Sequence, residues 1–75
     1  MKFRALREKC EAKAWRLIVE KGSGKSEVCE VHTLYTVEPK RKLSKWDEAE
    51  VAGFTATVTK WPVGYVNTVE VKLRV

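Results

Sequence analysis

The chain has few of the residues from which reactive or metal-binding sites are made. Its 75 residues include two cysteines, one histidine, two prolines and four glycines. It also lacks any apolar run of about 18 residues, the length a membrane-spanning helix needs, so no membrane contact is expected. Lys2, Arg4 and Arg7 open the chain with no apolar block behind them, which argues against a secretory leader and makes the cytoplasm the expected compartment. A tetrahedral structural zinc site takes four ligands, and Cys10, Cys29 and His32 are the only soft ones available. Cys29 and His32 stand three apart in a strand-like stretch, an odd spacing that turns their side chains to opposite faces. The same separation denies a thiol nucleophile its base, which must lie within hydrogen-bond reach. The carboxylates Asp47, Glu48 and Glu50 cluster beside Lys45 in polar sequence, where nothing shifts one of them towards an acid role. No metal, no cofactor and no enzymatic activity are therefore expected, and both cysteines are read as small buried apolar residues.

Length sets a further limit. A chain of this size buries only about 60% of the surface that its unfolded form exposes, which suits one small domain spanning 1–75 and not a two-domain enzyme. One phosphate-binding signal fails on inspection. Val19 to Ser26 ends in the Gly24-Lys25-Ser26 of a P-loop, yet Val19 stands where the first glycine belongs and no helix-forming run follows Ser26. The stretch is read as a polar turn.

What the sequence does have is an uneven positive charge. The total is +5, from 15 Lys and Arg against 10 Asp and Glu. Residues 1–25 carry net +5, residues 26–38 net −3 through Glu27, Glu30 and Glu38, and residues 39–46 net +4 through Lys40, Arg41, Lys42 and Lys45. Clusters of this kind neutralise phosphates. Three Trp are also present, and Trp46 directly follows the second cluster. Aromatic faces beside Lys and Arg can stack on bases while the cations follow the backbone.

Phe3, Leu6, Cys10, Ala14, Leu17 and Ile18 form one stripe at helical spacing, which predicts an amphipathic helix over 3–20 closed by Gly22. A strand alternative alternates Trp15, Leu17 and Val19, with Gly22-Ser23-Gly24 folding them onto Cys29 and Val31. Glu27 to Val37 reads as a strand ended by Pro39, with Cys29, Val31, Tyr35 and Val37 on one face and Glu30, His32 and Thr36 on the other. Ser44 and Asp47 suggest a short helix over Lys45 to Ala52. Phe54 to Trp61 and Tyr65 to Val75 read as a hairpin through Pro62-Val63-Gly64, which pairs Lys60 with Tyr65, Val58 with Asn67, Ala56 with Val69 and Phe54 with Val71. Phe54, Val58, Val69 and Val71 are expected in the core, and Thr55, Thr57, Thr59, Trp61, Val66, Thr68, Glu70, Lys72 and Arg74 on the opposite face.

Met1-Lys2-Phe3-Arg4-Ala5, followed by Trp15, resembles the start of small phage-encoded proteins of the YopX type. The likeness spans residues 1–15 and holds no functional motif. It implies an N-terminal strand and a bacterial or phage accessory protein.

The expected fold is α+β, an N-terminal helix on a three-stranded antiparallel sheet with a short middle helix, or alternatively a five-stranded all-β sheet or small barrel. The expected function is a non-catalytic module that binds nucleic acid through Lys40, Arg41, Lys42, Lys45, Trp61, Lys72 and Arg74. The alternative is a protein-interaction or self-assembling accessory protein that pairs through an exposed edge of its C-terminal strand.

Overall fold

Residues 3 to 9 are mostly strong helix formers, and in a computed structural model, which describes residues 1–75, they form α1 (Phe3–Lys9). Arg7 and Lys9 fall in its last turn, where they oppose the negative end of the helix dipole. No side chain caps its start. The amides of Phe3 and Arg4 instead donate to the carbonyls of Ala49 (2.9 Å) and Asp47 (3.1 Å), which satisfies groups that a helix N-terminus leaves open. The strand implied for the first residues by the YopX likeness is therefore reduced to a single bridge, Lys2 to Glu50.

The helix expected over 3–20 stops halfway. β1 (Ala14–Glu20) takes the alternative, extended form and folds back through residues 21–25 onto β2 (Ser26–His32), with Leu17 opposite Cys29 and Trp15 opposite Val31. The physical reason is position. β1 has a strand on each side, so its backbone groups pair in both directions while Trp15, Leu17 and Val19 reach one continuous core. β2 ends at His32 because β1 begins at its partner Ala14, and one further bond from the Thr33 amide to the Lys13 carbonyl (2.9 Å) closes the ladder. Residues 33–38 then curl instead of extending to Val37, leaving Leu34, Tyr35 and Val37 exposed.

Pro39, read as a strand terminator, opens α2 (Pro39–Ser44), where its missing N–H costs nothing at the first turn. The helix expected over 45–52 is a series of turns up to Ala49, and β3 (Glu50–Trp61) begins two residues before that helix should have ended. β3 pairs with β4 (Gly64–Arg74) in the expected register, Lys60 with Tyr65 through Phe54 with Val71, around a Pro62-Val63 turn. Gly64 follows at φ +115°, a conformation that side chains disfavour. The fold class is thus α+β, with four strands and not three, and the sheet is mixed, in the order β2-β1-β4-β3 with β1 and β4 parallel. β4 is interior from Thr68 to Arg74, with β1 on one side and β3 on the other, so the edge pairing expected of the C-terminal strand is closed along that length; β2 and β3 are the edge strands of the sheet.

Both helices lie on one face of the sheet. There Phe3, Leu6 and Leu43 close over Trp15, Leu17, Val19, Val31, Val71 and Leu73, with Phe3 set edge-on to Trp15 at 5.6 Å. Each fully buried side chain of this kind contributes about 1.5–3 kcal/mol. The cover stops at β4. Val71 is fully buried and Val69 half-buried, but Phe54 and Val58, expected in the core, are 53% and 59% exposed because nothing packs over the outer part of β3. No helix is long and apolar enough to cross a membrane.

Candidate nucleic-acid interface

The basic cluster sits on α2 because Leu43, the one buried side chain of that helix, pins it against the core and leaves the other positions outward. Lys40, Arg41 and Lys42 stand along it, and Lys45 follows at the helix end with its ammonium 5.0 Å from the Trp46 ring centroid. Arg41 reaches Glu38 at 3.3 Å, an exposed pair one turn apart. Val37, Glu38, Arg41, Lys42 and Lys45 border a shallow hollow of about 430 Å³.

A second groove, of about 470 Å³, runs between α1 and α2. Its floor is Cys10, Trp15 and Leu43, and Arg7, Glu11, Lys13 and Lys40 stand around it. Arg7 is committed elsewhere. Its Nε and Nη2 donate to both carboxylate oxygens of Asp47 at 3.0 and 2.9 Å, a partly buried two-point pair that raises the already high guanidinium pKa chiefly through that hydrogen bond. Lys13 and Lys40 are therefore the free cations of the groove. Sequence patterning missed Lys13, because reading 3–20 as one helix hid the break at 10–13 that swings it towards α2.

The remaining predicted residues are dispersed. Arg74 lines a hollow of about 320 Å³ with Lys45 and Trp46, although its side chain turns towards Glu20 at 3.9 Å. Lys72 is exposed on the face away from the helices, where it borders a hollow with Thr55 and Glu70. Trp61 lies on that same reverse face but at the opposite end of the hairpin, and it is not free to stack. Its ring packs on His32 at 4.8 Å and lies nearly parallel to Tyr35 at 6.4 Å.

His32, read on the polar face of its strand with Glu30 and Thr36, is only 4% exposed. Its Nδ1 accepts the Leu34 amide at 3.0 Å, which assigns the ring proton to Nε2. That atom and Trp61 Nε1 are buried with no hydrogen-bond partner, and the tilted contact between the two rings at 61° is of the kind in which a ring N–H faces a π cloud. Cys29 and His32 do lie on opposite faces of β2, since Cys29 pairs beside Leu17 and His32 beside Ala14.

No family model, curated protein or solved structure matches the chain.

Proposed function

We propose that the protein is a non-catalytic module that binds nucleic acid through the exposed face of α2, with Lys40, Arg41, Lys42 and Lys45 along the helix and its end and Lys13 across the groove. One observation carries this reading. Lys2, Arg4, Arg7, Arg16, Lys21, Arg41, Arg74 and the N-terminal amine each have a carboxylate within 4 Å, whereas Lys13, Lys40, Lys42 and Lys45 have none. Lys9, Lys25, Lys60 and Lys72 are also unpaired but stand singly along the chain. Uncompensated charge is thus concentrated at α2, and phosphates are the partner that compensates it. Lys72 and Trp61 take no part in this surface, because they lie on the other face of the sheet.

Fluorescence anisotropy with labelled single- and double-stranded oligonucleotides, read from about 50 to 200 mM salt, tests the assignment. Affinity should fall steeply with salt. The Lys40→Gln, Arg41→Gln, Lys42→Gln triple variant should bind every sequence more weakly and flatten the slope by about 0.7–0.9 for each phosphate it no longer neutralises. Salt-independent binding, or a triple variant that binds like the parent chain, would overturn it.

A further inference from the structure

β3 and β4 run past the end of β1. The parallel pairing begins with Ala14 beside Thr68, so Tyr65, Val66 and Asn67, with their partners Lys60, Thr59 and Val58, form a two-stranded arm that no third strand supports. A bare two-stranded ribbon is marginal in water and needs a covered face. On the reverse side Trp61, packed on His32 and Tyr35, supplies one. On the helix side the arm is open.

The open side is largely apolar, with Asn67 beside Val58 its one neutral polar side chain. Phe54, Val58 and Tyr65 are 53%, 59% and 75% exposed, with Ala56 exposed and Val69 half-buried beside them. Together they leave roughly 400 Å² of apolar surface, about the size of the largest patch on a typical monomer, which is often functional. A hollow of about 490 Å³ between the arm and residues 11–13 deepens the patch next to Ala56 and Val69. Along this face of the hairpin Lys60 is the one charge, and it has no carboxylate within 4 Å; on the reverse face Glu70, Lys72 and Arg74 stand in a row.

We infer that this face is an interface with a second copy of the chain, the two arms packing on each other about a two-fold axis. Charge selects the occupant. Two copies at +5 repel through their basic surfaces, and the arm face, with a single cation, is an apolar stretch on which they can meet with little repulsion. Glu11, another unpaired group, stands at the rim of the hollow, so an arm tip laid on the partner's hollow brings Lys60 to Glu11 twice, once for each half of a symmetric interface. Nucleic acid is a poor occupant, since a phosphate chain finds only Lys60 and Lys13 there. The patch is about half of the ~800 Å² that each partner gives to a standard interface, which places the pair among weak, reversible dimers.

Sedimentation equilibrium from about 1 µM to 1 mM, which brackets weak association, reads the outcome without added ligand. The parent chain should dimerise. Val58→Lys and Tyr65→Lys, both at exposed positions, should weaken the dimer at least tenfold while the far-UV circular dichroism stays that of the folded chain. Lys60→Glu should weaken it as well, and adding Glu11→Lys to that variant should restore it. A parent chain monomeric throughout the range would overturn the assignment, as would a dimer indifferent to both Val58→Lys and Tyr65→Lys. Neither result bears on Lys40, Arg41, Lys42 and Lys45 of the α2 surface, which stand apart from the arm and are read by salt dependence.

Discussion

On the helix face of the sheet, Leu17, Val71 and Leu73 are fully buried, whereas Phe54 and Val58, on the same face of the adjacent edge strand, are more than half exposed. The two regions are written in the same alternating pattern of apolar and polar residues, and the hairpin register is as regular as any in the molecule from Phe54 onward. What separates them is the cover. α1, with only seven residues, and α2, with six, reach β1, β2 and the last part of β4 and then run out. Alternation therefore tells which residues share a face, and a second element decides whether that face is core.

The two phenylalanines give the sharpest way to break the comparison. Phe3→Ala, at a fully buried position against Trp15, should cost about 3–5 kcal/mol and leave the chain largely unfolded at room temperature, as circular dichroism in urea would show. The next effect concerns what holds the cover in place. Asp47→Ala leaves the partly buried Arg7 guanidinium without its two acceptors and loosens α1 from the 45–49 turns, with an expected cost of about 1–3 kcal/mol in the same assay. Phe54→Ala, the counterpart of the first change, should move stability by no more than about 0.5 kcal/mol in dilute solution. A large drop there would mean that the arm is covered within a single chain, and the contrast between the two regions would collapse.

The smallest effect is a pH dependence. Glu50 accepts a hydrogen bond from the N-terminal ammonium at 3.2 Å, with Lys2 at 3.7 Å, and that bond and charge hold its carboxyl below the ordinary range. A carboxyl lowered on folding adds stability above its unfolded pKa and loses it as pH falls through the lowered folded value. The melting-temperature difference between the parent chain and Glu50→Gln should accordingly be present near neutral pH and vanish in acid. A gap that survives full protonation would assign Glu50 a role other than this ion pair.

The legible parts of the sequence are those whose outcome depends on neighbours in the chain. The hairpin register can be read because a short turn between two alternating runs fixes which residues oppose each other. The strand form of 14–20 is readable only as an alternative, because Ala14, Leu17 and Ile18 satisfy helical spacing just as well until β2 and β4 claim them from both sides. The two ends of α2 mislead for a related reason. Pro39 both ends a strand and starts a helix, and Asp47, which resembles a helix-start residue, is held by Arg7, 40 residues earlier. At the candidate interface the cluster of Lys40, Arg41, Lys42 and Lys45 is plain, since a charge run is local. Its extension to Lys13, and the withdrawal of Trp61 into a ring cluster with His32, depend on the meeting of distant segments that no spacing announces.

The parallel pairing of β1 with β4 also bears on how the chain comes off the ribosome. α1, β1 and β2 emerge early and can form a helix and a hairpin, yet the second side of β1 stays open until β4 arrives, with Leu17 waiting for Val71 and Val19 for Leu73. Translation must therefore pass through α2 and both arms of the long hairpin before the core can close. Until then the nascent chain carries Trp15, Leu17 and Val19 uncovered, a period in which chaperones and proteases can reach it.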